Sequence, residues 1–351
     1  MFWIRVEGER ENEEIVMTAV LEVHDLVTKF YTLEGIVHAV NGVSFSVNKG
    51  EILAVVGESG SGKSVTMKSL LGLISSPPGK IESGKAIFNG SNELGDLLEY
   101  SPQQLRDIRG GDIGYVFQDP GSTLNPIMTV GEQIAETILR HQVVSREEAY
   151  KKTLNLLEKV GIADPVTRYK NYPFQFSGGM RQRVMIAIAI ACEPQMIIAD
   201  EPTTALDVTI QAQIIDLFKK FQKELNIAVI WITHDLGVVA GIADRVLVMY
   251  GGRIMETAPV NKLYENPTHP YTIGLLGSLP RLNEDGYKRL VGIKGVPLDA
   301  SKEIKHCPFA ARCDYAFERC WNEIPKLAEI DPEHKVSCFY RVEKGGSQYD
   351  R

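Results

Sequence analysis

The chain has 351 residues, 44% hydrophobic and 24% charged, enough to bury a sizeable core spread over two units. A net charge of −7 and a pI near 5.6 argue against a nucleic-acid protein that works by broad attraction to phosphates. The longest apolar run, Val184 to Cys192, falls far short of the roughly 20 residues a membrane-crossing helix needs, so any membrane role must be borrowed from a partner.

In chain order, residues 1–16 turn acidic where a secretory signal would carry its apolar centre, and they are expected to be a frayed extension with no catalytic use. From Val20 the pattern alternates, predicting an antiparallel sheet that leads through the turn Asn48-Lys49-Gly50 into the apolar strand Ile52 to Val56. Tyr31, in the first hairpin, is either a base-stacking aromatic or an ordinary ring packed on the sheet.

The strand is followed by Gly57-Glu58-Ser59-Gly60-Ser61-Gly62-Lys63-Ser64 and then by a helical segment opening at Val65. Strand, glycine-rich loop and helix together are the context of a Walker A phosphate loop. The glycines let successive N–H groups turn inward toward phosphate oxygens at the positive end of a helix. Lys63 can then reach the β- and γ-phosphates, and Ser64 can offer its hydroxyl to Mg²⁺. The chain therefore binds a nucleoside triphosphate.

A buried-type strand, Ile113 to Phe117, ends in Gln118, which can reach Mg²⁺ or a water from there; taken alone it is an ordinary polar terminus. Ile134, Ile138, Leu154, Leu157 and Val160 recur at helical spacing and predict a small helical insertion. Ser177-Gly178-Gly179 opens a further helix, either as a plain N-cap or as a second anion-binding end. Met196 to Ala199 is an apolar strand ending in Asp200, a Mg²⁺-holding position in phosphate-loop enzymes, and Glu201 beside it can polarise a water. The strand Ile227 to Thr233 ends in His234, which is either structural or close to the γ-phosphate. All these polar residues stand at carboxyl ends of strands, where doubly wound sheets hold their ligands.

Taken together, these motifs resemble the nucleotide-binding subunit of ATP-binding-cassette transporters over about residues 20–265. The matching set is Walker A, the Q-loop Gln118, the signature Ser177-Gly178-Gly179, Walker B Asp200 with Glu201, the D-loop Ala205-Leu206-Asp207 and the switch His234. The resemblance implies a head-to-tail dimer with ATP held between one subunit's Walker A and the other's signature. Gln118 joins the Mg²⁺ ligands Ser64 and Asp200, Glu201 acts as general base or orients the water, Asp207 and His234 contact nucleotide, and Tyr31 falls near the base-stacking position. Phe176 and Met180 flank the signature where the family pattern is Leu-Ser-Gly-Gly-Gln, which leaves the contacts of the missing Gln without a counterpart.

Glu265-Asn266-Pro267-Thr268-His269-Pro270-Tyr271 and the flanks of Gln118 and Ser177 resemble the oligopeptide, dipeptide and nickel importer branch, specifically its D-type ATPase. That resemblance implies an F-type ATPase as partner, two membrane permeases, an extracytoplasmic binding protein and a peripheral position on the cytoplasmic face of the membrane. A soluble cassette acting as a mechanical clamp on DNA or ribosomes would need a second cassette, a long coiled-coil insert or a basic surface, and none is visible.

Of the five cysteines, Cys192 lies on an apolar helix as a small hydrophobe. The spacing Cys307-x5-Cys313-x6-Cys320-x17-Cys338 offers four thiolates, the count for a [4Fe–4S] cluster or zinc, with plain reduced thiols as the third reading. The same branch includes members with such a cluster, and the absence of a CxxC pair suits a cluster's wider girth. The expected organisation is an α/β phosphate-loop ATPase core with an antiparallel subdomain over residues 17–265, a helical subdomain at about 119–180, and a cysteine-bearing extension over 266–351.

Overall fold

In the computed structural model, which describes residues 19–90, 94–204, 206–279, 292–343 and 346–349, two long strands pair antiparallel at the start. These are β1 (Ala19–Thr32) and β2 (Gly35–Asn48), with Thr32 opposite Gly35. The expectation for residues 1–16 falls outside the described residues, as does Ala205. β3 (Ile52–Val56) follows and is buried along its whole length, as a central parallel strand covered on both faces must be. It delivers the phosphate loop to α1 (Lys63–Leu70).

β4 (Gly79–Asn89) and β5 (Leu94–Asp96) return to the first hairpin, giving a four-stranded antiparallel sheet in the order β2-β1-β4-β5. After α2 (Pro102–Ile108), β6 (Ile113–Val116) enters the core, and α3 (Pro120–Thr123) begins the helical insertion. α4 (Val130–His141) and α5 (Arg146–Lys159) start at reciprocal capping boxes, Thr129 with Glu132 and Ser145 with Glu148, which satisfy their first free N–H groups. The buried stripe of α5 runs Ala149, Thr153, Leu157. Thr153, rather than the expected Leu154, is fully buried because its hydroxyl donates to Ala149 O at 2.8 Å, so no polar atom is stranded. α6 (Pro165–Tyr169) and α7 (Gly178–Ile190) complete the insertion.

β7 (Met196–Asp200), α8 (Val208–Leu225), β8 (Ala228–Thr233), α9 (Leu236–Ile242), β9 (Arg245–Tyr250) and β10 (Arg253–Pro259) finish the core, followed by α10 (Val260–Glu265) and α11 (Pro270–Gly277). β6, β7, β8, β3 and β9 run parallel, and β10 turns back antiparallel beside β9. Two strands from beyond residue 266, β11 (Ala328–Asp331) and β12 (His334–Val336), add to the same sheet, whose full order is β11-β12-β10-β9-β3-β8-β7-β6. The C-terminal region is therefore continuous with the core sheet.

A buried carboxylate ties that join. Glu256 on β10 accepts from the backbone N–H groups of Thr268 and His269 at 2.8 and 2.9 Å, and His334 Nε2 lies 2.7 Å from its Oε1. Three polar partners offset the cost of burying the Glu256 charge.

Candidate nucleotide site

The phosphate loop needs glycine for reasons visible around it. Gly57 has φ +150°, and a Cβ there would meet Met249 O at 2.2 Å; Gly62 has φ +99°, and a Cβ there would meet Ala39 O at 2.5 Å. Backbone from β9 and β2 thus crowds the loop so closely that side chains are excluded. Ser59 and Gly60 form its exposed crest, while Ser61, Gly62 and Lys63 are buried beneath and Val65 packs onto the core.

Lys63 Nζ donates to Gly57 O at 2.7 Å and Glu58 O at 3.0 Å, and lies 3.4 Å from Ser61 Oγ. Burial lowers the pKa of its ammonium, opposed by the charges of Glu201, Asp200 and Glu58. Ser64 Oγ donates to Asp200 Oδ1 at 2.6 Å, which unites the two residues expected to hold Mg²⁺. The other oxygen, Asp200 Oδ2, accepts from Tyr115 OH at 2.9 Å. Burial, and then the Asp200 charge, pushes the Tyr115 phenol well above its ordinary range, so it is a permanent donor.

A second group gathers on Glu201, whose backbone stands in the left-handed region at φ 49°. Glu201 Oε2 accepts from Gln118 Nε2 at 3.0 Å and from Thr204 Oγ1 at 2.9 Å, and lies 3.5 Å from His234 Nδ1. Gln118 follows β6, Glu201 follows β7, His234 follows β8 and Lys63 follows β3, so four adjacent parallel strands each deliver one of these side chains at the carboxyl edge. Mg²⁺ fits this donor set of a hydroxyl beside a carboxylate, whereas Gln118, also expected on the metal, is hydrogen-bonded to Glu201, the residue after Asp200.

The remaining expected residues stand apart from this cluster. Ser177 caps α7 by accepting from Met180 N at 3.4 Å, and both Ser177 and Gly178 are exposed. Gly179 sits against Ile210, one turn into α8, whose N-cap is Asp207 accepting from Ile210 N at 3.0 Å. Tyr31 is exposed, and its hydroxyl donates to Glu82 Oε1 at 2.6 Å across the antiparallel sheet. Cys192 is half-buried, with its thiol 3.7 Å from Thr137 O.

Three residues of the site were not anticipated. Tyr115 is the polar interruption in the strand Ile113–Val116, three residues before Gln118, a signal that was available. Tyr271, whose hydroxyl accepts from Glu58 N at 2.9 Å, and Arg312, which pairs with Glu58, come from far along the chain and carry no local signal.

The sequence matches the ABC transporter family over residues 40–204 and the C-terminal region of oligopeptide/dipeptide transporters over residues 255–320. It is 48% identical over 325 residues to the oligopeptide transport ATP-binding protein OppD of Bacillus subtilis, covering 93% of this chain and 90% of that protein. This chain belongs to the ABC transporter ATPases. The cassette is also 49% identical over 328 residues to the dipeptide transport ATP-binding protein DppD of the same organism, covering 93% of this chain and 96% of the relative. Among solved structures, a dimeric ATP-binding cassette in a post-hydrolysis state with bound ADP and Pi is similar at a TM-score of 0.61 and 28% identity, over 68% of this chain and 98% of that one.

The cysteines of the cassette depart from expectation. Among the described residues no group of three or more His, Cys, Asp or Glu side chains lies placed to hold a metal ion, so the described geometry does not support the expected four-cysteine metal centre. Cys307 and Cys320 are instead sunk into an apolar cluster with Tyr271, Phe309, Ala310 and Phe339. Burial pushes the Cys307 thiol up to about 11 and raises Cys313 and Cys338 as well, which keeps these three protonated near neutrality. Cys307, Cys313 and Cys320 all stand near enough to Cys338 that a thiolate on any of them would raise it further, so the four sulfurs share one neighbourhood.

Proposed function

We propose that this ATPase powers the import of di- or oligopeptides, as one half of a cassette dimer with an F-type ATPase beneath two membrane permeases. The observation that carries the substrate class is the match of residues 255–320 to the oligopeptide/dipeptide transporter region, in a chain whose relatives are named for peptide transport. The dimer is supported by the exposed Ser177 and Gly178 at the N-terminus of α7, a helix end suited to phosphate but supplied with no phosphate loop of its own. Permease docking is supported by an apolar groove of about 380 Å³ beside the Q-loop, lined by Leu73, Tyr115, Phe117, Thr137 and Ile188. The permeases set the cytoplasmic face of the membrane as its place of work, and an extracytoplasmic binding protein delivers the peptide.

Within the site, Lys63 grips phosphate, Ser64 and Asp200 hold Mg²⁺, and Glu201 takes the proton of the attacking water. Mg²⁺, when bound, neutralises phosphate charge. Gln118 couples the groove to Glu201 through its hydrogen bond, and His234 Nδ1 lies 3.5 Å from the same carboxylate oxygen. Tyr31 and Asp207 complete the nucleotide contacts in the closed dimer.

Size-exclusion chromatography and ATPase assays with and without the F-type subunit and permeases test the pairing. The isolated chain should be largely monomeric and slow, and the complete complex should respond to peptide-loaded binding protein. A fully active homodimer would remove the heteromeric pairing, and a response to nickel instead of peptide would change the substrate.

The cysteine region carries a finer proposal, that Cys307, Cys313, Cys320 and Cys338 hold a [4Fe–4S] cluster, with zinc as the alternative occupant. Their shared neighbourhood supports four ligands to one group, and the absence of a CxxC pair in the sequence favours the larger one. Bound there, the group would cross-link the loops around Arg312 and Phe339. Metal and sulfide analysis of protein purified without oxygen should find about four irons and four sulfides per chain. One zinc would replace the cluster, and neither metal would remove the proposal.

A further inference from the structure

Glu58 brings a negative charge into a loop whose business is to attract phosphate. All three of its hydrogen-bonding groups are engaged. Its carbonyl accepts from Lys63 Nζ, its N–H donates to Tyr271 OH, and its carboxylate is taken by Arg312. The last pairing is bidentate: Arg312 Nη1 lies 2.5 Å from Glu58 Oε2, and Nη2 lies 3.0 Å from Oε1.

Arg312 is itself fixed in place. Its side chain is only 5% exposed, against 27% for Glu58. Its Nε donates to Lys294 O at 2.8 Å, Nη1 reaches Tyr250 OH at 3.4 Å, and the guanidinium lies 5.7 and 5.9 Å from the ring centres of Tyr250 and Phe309. A guanidinium with its donors committed and its faces against aromatic rings cannot follow Glu58 if the loop moves, so it sets where that carboxylate stands.

The competing partner is close at hand. The Glu58 charge already acts on Lys63, in the direction of holding its ammonium protonated. An unpaired carboxylate on the same loop would close onto that ammonium and occupy the donors the triphosphate needs.

We propose that Arg312 is a positioning residue of the nucleotide site, holding the Glu58 carboxylate away from Lys63 so that the lysine remains free for phosphate. This rests on the assignment of the loop to ATP. It also gives the C-terminal region a direct hand in ATP affinity, since Arg312 and Tyr271 both lie beyond residue 265 and both act on Glu58.

The test is Mg-ATP affinity, by equilibrium titration of the full chain, for Arg312→Gln, Arg312→Lys and Arg312→Gln/Glu58→Gln. Arg312→Gln should raise the Kd about tenfold, because the released carboxylate competes for Lys63. Removing that carboxylate in the double variant should restore the Kd to within about threefold of the parent, and Arg312→Lys should keep most of the affinity by keeping the charge. Rescue by a second substitution is the decisive readout, because a merely structural arginine would leave the double variant no better than the single. An unchanged Kd in Arg312→Gln, or a double variant as weak as the single, would overturn the inference. A phosphate loop that does not bind ATP at all would show itself separately, as normal affinity in Lys63→Ala.

Discussion

Glu201→Gln should cut ATP turnover by on the order of 10²- to 10⁴-fold, the range that removal of a general base typically costs, while leaving ATP binding intact. The substitution keeps the length and shape of the side chain, and the amide oxygen can still accept one of the two hydrogen bonds that Gln118 and Thr204 now give to Oε2. What is lost is the negative charge through which the proposed general base would take a proton from water. Because binding and closure should survive while chemistry stops, the variant should accumulate as an ATP-bound dimer with the proposed F-type partner. Single-turnover hydrolysis together with size-exclusion chromatography in ATP reads both effects. Brisk hydrolysis by this variant would remove Glu201 from the role.

Lys63→Ala should weaken ATP binding by about 100-fold, within the range expected when one member of a buried charged hydrogen-bonded pair is truncated. The side chain is 95% shielded from solvent by its own loop, its relative exposure being 5%. No other lysine stands within the loop to replace it, and water cannot easily enter to solvate phosphate in its place. The fold should persist, since α1 retains Met67, Leu70 and Thr66 in the core. Titration with a non-hydrolysable ATP analogue measures the loss, and an affinity unchanged from the parent would sink the phosphate-loop assignment.

That these residues gather at one edge of the sheet was legible in advance because each sits next to an unmistakable local pattern. A strand of apolar residues running into a polar one reads the same at Phe117–Gln118, at Ala199–Asp200 and at the end of the strand before His234, while Val56 runs into the glycine loop, and parallel strands place such ends together. The phosphate loop carries its own geometric demand for glycine. Helix starts were similarly local, as the capping boxes at Thr129 and Ser145 show. The antiparallel subdomain followed from alternation and turn residues in the same way.

The cysteines mark where local reading ended. Their number and spacing speak of ligands, but spacing along the chain does not say whether sulfurs point at one another or into an apolar core, and here Cys307 and Cys320 pack with Phe309 and Phe339. The C-terminal region likewise gave no sign that it would extend the core sheet through β12 beside β10, a pairing between Glu256 and Val336 across 80 residues of chain.

The sequence by itself determined that this chain is a phosphate-loop ATPase of the ABC transporter type, because phosphate binding is performed by contiguous backbone and its immediate neighbours. The tertiary structure alone decided which oxygen of Asp200 meets Ser64 and which meets Tyr115, and that Glu58 answers to Tyr271 and Arg312. Those contacts join residues separated by 136, 85, 213 and 254 positions. Their existence depends on how the sheet brings distant strands and the C-terminal loops to one edge, and no local pattern of residue types encodes that approach.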